Sequence, residues 1–310
     1  MIISKKKGAG FSLVELMVAM LISLILIGAA AATWLTSKKT YTLQEDLGRI
    51  QENARFALEF IKYDIRMAGY YGCANDASSV KFTATDVSAL GMEGANDTDE
   101  ANIRTGTDTI TLRYIDPDGP NLETSMTSRN AAIDITEDNT IKEGDLVAIA
   151  DCKSTDIFKV TNDPDGGDLE HTASGNSSTN LSKPYVLDPK DPVIVRAYNA
   201  VRYSIRSDDD GGAALMRNDE VLVEGIEDMQ ILYGEVTDNN SLPQSYVTAA
   251  SDTNWSSIRS VRISLLSSSI REYGLEEDTR DDYVKIGATS FPNERRRRRA
   301  FTTTIQARNL

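Results

Sequence analysis

The feature that most constrains this chain is an acidic residue at the start of a long uncharged segment near the N-terminus. Glu15 is followed by the uncharged run Leu16 to Ser37. About 20 apolar residues cross a bilayer as a helix, at 1.5 Å of rise per residue, so this run is long enough to span a membrane. A carboxylate at the edge of such a span costs roughly 1 to 3 kcal/mol. Its presence there therefore requires a reason.

The positions around Glu15 form a longer motif, which reads KKKGAGFSLVELM at positions 5–17. This motif resembles the type IV prepilin signature. The resemblance implies that prepilin peptidase removes a leader, residues 1–10, by cutting between Gly10 and Phe11. It also implies that Phe11 is then N-methylated and that Glu15 governs subunit assembly. The alternative is a plain N-terminal signal anchor in which Glu15 is incidental.

The order of the motif distinguishes this chain from a secreted one. The polar cut site precedes the apolar run, so the run stays in the mature protein, unlike an ordinary secretory signal. Residues 11–35 are therefore predicted to form a transmembrane and filament-core helix. The leader lysines place the N-terminus in the cytoplasm and the chain beyond Lys38 outside, although Lys38 and Lys39 weakly oppose this orientation. The predicted location is the bacterial inner membrane, single-pass with a periplasmic head, followed by incorporation into a pilus.

The helical signal continues beyond the span as an amphipathic segment, residues 36–68. Apolar residues recur at spacings of three and four and form one stripe on an α-helix, comprising Leu43, Leu47, Ile50, Ala54, Ala57, Ile61, Ile65 and Ala68. The intervening residues, Asp64 among them, are mostly charged or amide. The stripe is predicted to pack against the chain's own head domain. Gly69, just past the last periodic residue, is a candidate helix C-cap.

The remainder, residues 69–310, is predicted to be a β-rich periplasmic head. Short apolar runs separated by polar turn residues read as strands over Thr109 to Tyr114, Leu146 to Ala150, Ile157 to Val160, Pro192 to Ile205, Val221 to Val223, Met229 to Tyr233, Ile258 to Leu266 and Phe301 to Ile305. Long polar connections are predicted over Asp86 to Asp108, Thr161 to Lys183, Ser207 to Glu220 and Val236 to Asn254. The predicted fold class is α+β, with a long N-terminal helix against an antiparallel sheet.

The chain has two cysteines, Cys73 and Cys152. An even count in a chain that faces an oxidising compartment favours a disulfide between them. The alternatives are two free thiols or half of a metal site. Metal is the weaker option, because the only histidine is His171, in a polar stretch, and no C-x-x-C is present.

Two acidic loops and one basic run are candidate binding sites. The loops at 163–168 and 208–212 superficially resemble calcium loops, but neither has the full EF-hand spacing, so solvated turns are favoured and no metal site is predicted. The run Arg295 to Arg299 could contact phosphates, contact an acidic neighbouring subunit, or form a solvated strand edge. A net charge of -14 disfavours nonspecific nucleic-acid binding, so no nucleic-acid partner is expected.

Catalysis has little support in the sequence. A serine-histidine-acid arrangement would depend on His171, and the chain has no G-x-S-x-G elbow. H-E-x-x-H and the phosphate-cradling G-x-x-x-x-G-K are also missing. The chain is therefore predicted not to be an enzyme and to need no cofactor.

Several segments outside the signature resemble the large minor pilins of the PilW type. They read ENARFALE at 52–59, DIRMAGYYGC at 64–73, VEGIEDMQILYG at 223–234 and RAFTTTIQARNL at 299–310. The resemblance covers both ends of the chain, while about Ala74 to Lys190 carries none. It implies a structural subunit that joins other minor pilins and the major pilin, primes type IV pilus assembly and caps the pilus tip, where a tip adhesin is a further partner. The alternatives are a J-type minor pseudopilin of type II secretion and a tip module for adhesion or DNA uptake.

Overall fold

The computed structural model describes residues 10, 12–73, 79–85, 87–88, 90–136, 139–164, 167–207, 212–236, 242–270, 283–286, 289–292 and 296–310. The chain divides into two compact units, Met1–Arg49 and Ile50–Leu310. Leader residues 1–9 and Phe11 lie outside the described residues. The predicted boundaries between leader, span, amphipathic helix and head stay a prediction.

One long helix, α1, runs over Leu13–Met67. The part of α1 that lies in the first unit contains the apolar run, and the side chains of this run are exposed. Its mean hydropathy reaches 2.5 over 18 residues, so the helix is long and apolar enough to cross a membrane. The hydroxyls within this run do not stay free. Ser23 Oγ donates to Ala19 O at 2.7 Å, and Thr33 Oγ1 donates to Ala29 O at 2.9 Å. These bonds satisfy the hydroxyls without a partner helix.

The described residues of the head contain sixteen strands, and all eight predicted strands are present among them. They are β1 Val80–Phe82, β2 Met92–Thr98, β3 Thr107–Ile115, β4 Ile133–Asp134, β5 Leu146–Ala150, β6 Thr155–Lys159, β7 Asp168–Leu169, β8 Ile194–Ser207, β9 Ala213–Arg217, β10 Glu220–Glu224, β11 Ile226–Glu235, β12 Ser245–Val247, β13 Ile258–Ser268, β14 Tyr283–Ile286, β15 Thr289–Pro292 and β16 Arg298–Gln306. A short 3-10 helix, Trp255–Ser257, precedes β13.

Two sheets dominate the head. The larger has the order β1-β6-β5-β8-β3-β2, with β9 also pairing with β8 and with β10, and the smaller has the order β12-β11-β13-β16. All these pairs are antiparallel except β1 with β6. The long strand β8 lies at the centre of the larger sheet because it is long enough to pair with β5, β3 and β9 in succession. The α+β prediction is confirmed.

The second half of α1 packs on this β structure through the predicted stripe. Ile50, Ala54, Ala57, Ile61, Ile65 and Ala68 are all buried. The last four share a core with residues from both sheets, including Leu112 of β3, Met229 of β11 and Ile263 of β13. The small Ala residues let the helix backbone approach the sheets closely, and the Ile residues fill the space between them.

The helix ends as the glycine predicts. Gly69 has φ +78° and donates its N–H to Arg113 O at 2.9 Å. A Cβ at this position would lie 2.5 Å from the Asn309 carbonyl oxygen, and a Cβ at Gly91 would lie 2.7 Å from Gly69 Cα. Only glycine therefore allows the helix end, β2 and the last residues of the chain to meet here.

The predicted polar connections are partly wrong. Strand β2 lies inside the first, β7 inside the second, β9 inside the third and β12 inside the fourth. These strands carry few large apolar residues, and β2 reads MEGANDT. Backbone pairing with a neighbouring strand, rather than side-chain pattern, makes them strands.

Candidate assembly site

Glu15 belongs to a reciprocal cap at the start of α1. The Ser12 backbone N–H donates to Glu15 Oε2 at 2.9 Å, and the Glu15 backbone N–H donates to Ser12 Oγ at 3.2 Å. This is a capping box, in which two backbone donors that the helix leaves unpaired are satisfied by side chains. No hydrogen bond to Glu15 Oε1 occurs within the described part of the chain. One carboxylate oxygen therefore remains available.

The helix face beyond Glu15 carries several small side chains. Ala19 and Ser23 follow at intervals of four residues and lie on the same face, beside the larger Leu16 and Met20. Small side chains on a membrane helix let another helix approach closely. The run from Gly28 to Ala32 adds a second group of small residues further along the helix, where a Cβ on Gly28 would meet nothing within 4 Å.

The cut site is only half described. Gly10 is exposed, and a Cβ built on it would have open space around it. Phe11, predicted as the cut-site partner and as the methylated residue, lies outside the described residues. Cleavage and methylation therefore stay predictions.

The disulfide prediction is confirmed. Cys73 and Cys152 are bonded, with their Cα atoms 4.7 Å apart and a sequence separation of 79. The bond ties the segment that follows α1 to the turn between β5 and β6. Asp191 lies beside it and accepts the Cys152 backbone N–H at 2.9 Å. These three residues form the one group of potential metal ligands in the part of the chain that is described, but the disulfide uses both thiolates.

A buried acidic residue joins the helix to the larger sheet. Asp64 is 1% exposed and accepts hydrogen bonds from Tyr114 OH at 2.7 Å, from Tyr203 OH at 2.5 Å and from Arg217 Nε at 3.2 Å. The three donors come from β3, β8 and β9. The carboxylate raises the pKa of Arg217, and desolvation together with the same carboxylate raises the pKa of both tyrosines. This Asp64 network fastens α1 to three adjacent strands.

The sequence reading placed Asp64 among the polar residues between the stripe positions, and its burial corrects that interpretation. Asp64 is three residues after Ile61 and four before Ala68, so helical spacing puts it on the buried face. An acidic residue at a core position of the helix is the sequence signal that predicts a buried carboxylate. The sequence does not predict its hydrogen-bond partners, because strand pairing alone brings them together.

Two further buried carboxyls lie between the two sheets, and they were not predicted from the sequence. Asp108 on β3 accepts N–H groups from Asp97 at 3.0 Å and from Ile231 at 2.6 Å. Asp228 on β11 accepts from Gln230 Nε2 at 3.1 Å, while its Oδ2 has no partner in the described residues. Burial raises the pKa of each carboxyl to about 6, and the charge of Asp108 contributes to the shift at Asp228.

Arg298 of the basic run and His171 both contact other parts of the head. Arg298 Nε donates to Glu227 Oε2 at 2.6 Å, and Glu227 is only 2% exposed, so this member of the basic run is an internal ion pair. Arg295 lies outside the described residues, as do parts of both acidic loops, residues 165–166 and 208–211. His171 is buried, with Nε2 3.1 Å from Ala131 O, and burial lowers its pKa.

Two family models match the chain, one near each end. Residues 5–31 match the prokaryotic N-terminal methylation motif, which includes the predicted cut site and Glu15. Residues 184–309 match type IV pilus-assembly protein W, and this segment includes every strand from β8 to β16. Neither a curated protein nor a solved structure gave a match. Together the two family matches support the identification of this chain as a type IV minor pilin of the PilW type.

Proposed function

We propose that this protein is a structural subunit that, with other minor pilins, primes type IV pilus assembly and occupies the pilus tip. The observation that carries the proposal is the Glu15 carboxylate at the start of an apolar helix. One of its oxygens is used by its own cap, and the other has no hydrogen-bond partner among the described residues. A membrane helix gains nothing from this charge by itself. A partner that brings a positive charge to the same depth gives it a role.

The partner charge is the α-amine of another pilin. Once the leader is removed, the N-terminus of each mature subunit carries an ammonium four residues from its Glu15 equivalent, as Phe11 is from Glu15 here. An unpaired ammonium and an unpaired carboxylate are both costly near lipid, so pairing them between subunits offsets both costs. Glu15 Oε2 can keep its bond to the Ser12 N–H while Oε1 accepts from the neighbour, because a carboxylate has about four acceptor positions. The pair would then set the axial register of adjacent helices.

The second half of α1 belongs to the head. The Asp64 network and the core contacts of Ile61 and Ile65 hold this part of the helix on the β structure. This role needs no bound cofactor and no catalytic group, in line with a structural family.

The decisive experiment separates the two roles of Glu15. Glu15→Gln keeps the side-chain length and an oxygen that can accept the Ser12 N–H, but it removes the charge. Ser12→Ala keeps the charge but removes the Ser12 Oγ acceptor, at a cost of about 1 kcal/mol to the helix start. We expect Glu15→Gln to lose co-purification with the other minor pilins and to reduce pilus counts. Ser12→Ala should retain both.

Leader removal is measured in each variant by N-terminal mass spectrometry, because both substitutions lie near the cut site. Wild-type pilus counts and partner recovery in a correctly processed Glu15→Gln strain would refute an assembly role for the charge. Loss of both in Ser12→Ala but not in Glu15→Gln would assign the residue to capping alone.

Two other functions are distinguished by deletion of the whole chain. Loss of pili supports a priming subunit, whereas normal numbers of nonadhesive pili would indicate a tip-binding module. Normal pili with failed protein export would indicate a J-type pseudopilin of type II secretion. The match to a pilus-assembly family favours the first outcome. The strands found inside the long polar connections also weaken the argument that these segments are free binding loops.

A further inference from the structure

The last strand of the chain leaves one side of the smaller sheet open. β16 pairs with β13 from Ser260 to Ser268 and ends the order β12-β11-β13-β16. From residue 299 to residue 306, all hydrogen bonds that β16 makes to described residues go to β13. The nearby hairpin strand β14 pairs with β15 instead. Eight residues of strand edge, about 26 Å at 3.3 Å per residue, therefore present backbone groups that no described strand pairs.

A groove lies along this open edge. It has a volume of about 350 Å³ and runs between alternate residues of β16 and one flank of α1. Arg299, Phe301 and Thr303 form one wall, and Arg55, Leu58 and Lys62 contribute to the other. Phe301 is part-buried, opposite Leu265 in the strand register, so the floor is apolar where the core reaches the surface.

The charges at the rim are mainly positive. Lys62 Nζ is 3.4 Å from Glu59 Oε1, which balances one cation. Arg55 and Arg299 have no acidic partner among the described residues, and the Arg299 guanidinium lies 5.5 Å from the centre of the Phe301 ring. Two guanidinium groups without an acidic partner in the described part of the chain therefore lie beside this edge, although the net charge of the protein is -14.

We propose that this groove binds an extended acidic segment of a different pilus subunit, which pairs with β16 as a fifth strand. Main-chain hydrogen bonds to the free edge supply affinity that is independent of sequence. Specificity comes from alternate side chains, with an apolar residue over Phe301 and carboxylates opposite Arg55 and Arg299. The proposal rests on the proposed function, because it names the kind of partner that a pilus subunit would meet.

Other occupants fit the observations less well. A nucleic acid would be drawn to two arginines but repelled by the strongly acidic remainder of the chain. A helix could cover Phe301 but would leave the edge of β16 unpaired. A second copy of this chain would have to present an acidic strand of its own in the same register. Each of these is a distinguishable outcome of the test below.

The test is site-specific photo-crosslinking in cells that make the full chain. Benzoylphenylalanine at position 301 replaces one aromatic side chain with a larger one at the floor of the groove. The control places the same probe at Val186, which is 57% exposed and borders a different groove. We expect position 301 to capture one segment of another pilus subunit, and position 186 not to capture it. Mass spectrometry should identify the captured peptide as acidic, with the alternating apolar and polar residues of a strand. Deletion of that subunit should remove the adduct.

The charge contribution is tested in the same strain background. Arg55→Glu combined with Arg299→Glu should lower the yield of the adduct at position 301 by about fivefold or more, since attraction is replaced by repulsion. Lys190→Glu, an exposed charge reversal outside the groove, should leave the yield unchanged. Both variants should accumulate as the wild type does, because neither Arg55 nor Arg299 has a salt-bridge partner to lose in the described structure.

The outcomes distinguish failure of this docking proposal from failure of the proposed assembly function. Absence of an adduct at position 301 in normally piliated cells overturns the docking proposal and leaves the assembly function intact. Capture of a helical segment, of a second copy or of nucleic acid also overturns it, as does an adduct unaffected by the double arginine reversal. The assembly function is tested independently in the deletion strain, where normal piliation would refute it.

Discussion

The Asp64 network should contribute a large share of the stability of the head, and removing the carboxylate is the direct perturbation. Asp64→Ala leaves the hydroxyls of Tyr114 and Tyr203 and the guanidinium of Arg217 without their acceptor. Breaking a buried charge pair by removing one partner costs about 3 to 5 kcal/mol. Because folded domains of this kind are stable by only about 5 to 15 kcal/mol, we expect a large fall in the urea midpoint.

Smaller changes test whether the network acts as a unit. Tyr203→Phe removes one hydrogen bond to the charged acceptor and should cost about 1.5 to 3 kcal/mol. Tyr114→Phe should cost a similar amount. In the double variant, Asp64 keeps only Arg217, so the two effects should couple by about 0.5 kcal/mol or more.

The measurement is urea unfolding of the full chain in detergent, followed by tryptophan fluorescence. Trp255 packs edge-to-face on Tyr233, with ring centres 4.9 Å apart, so its emission reports on the head. The only other tryptophan, Trp34, lies in the apolar run and is replaced by Phe in every variant, including the reference. A loss of less than about 1 kcal/mol in Asp64→Ala would show that the carboxylate does not hold the helix on the sheet.

Three further predictions concern processing, the disulfide and pH. The mature N-terminus should be methylated Phe11, and mass spectrometry that finds intact Met1 or a cut beyond the apolar run would contradict this. Replacing Cys73 and Cys152 together by Ser should lower the free energy of unfolding by about 4.5 kcal/mol in the chain-entropy model for a sequence separation of 79. The measurement is urea titration of the variant against the oxidised wild type, with the reduced wild type as a control. Equal midpoints for the oxidised and reduced wild type would argue against that contribution. Burial raises the pKa of Asp108 and of Asp228 to about 6, from the usual 3.8 of an aspartate. Both carboxyls therefore bind more protons in the folded chain than in the unfolded chain. Their contribution to stability should fall as pH rises from about 4 to 6, by up to about 3 kcal/mol per carboxyl. Asp228→Asn should flatten this part of the stability curve, and an unchanged slope would contradict the assignment.

The local signals in the sequence were strong where one segment decides its own structure. The helix, its buried stripe and its glycine stop follow from spacing and from the conformation that Gly69 requires. The eight strands with clear apolar runs were found for the same reason. Strands β2, β9 and β12 were not, because each is a short segment within a predominantly polar stretch, and pairing with β3, β8 and β11 makes them strands.

The candidate site divides in the same way. The Gly10-Phe11 junction and Glu15 were predicted from adjacent residues, and so was the pairing of the two available cysteines. The Ser12 cap of Glu15 also has a local signature, because S-x-x-E before an apolar run is the capping-box pattern. None of the sequence-based predictions above uses it. The partners of Asp64 and the open groove at β16 had no local signature.

What the sequence alone determined is the class of the protein: a helix long and apolar enough to span a membrane, with one charge at its start, followed by a β-rich head. These features depend on the composition and period of contiguous residues, which are fixed before any long-range contact forms. The tertiary structure decided which buried charges meet, such as Asp64 with Tyr203, 139 residues away in the chain. It also decided that β3 and β5, from the middle of the chain, join the same sheet as β8. Such meetings depend on strand order and register, which are settled by the packing of the whole core and not by any one segment.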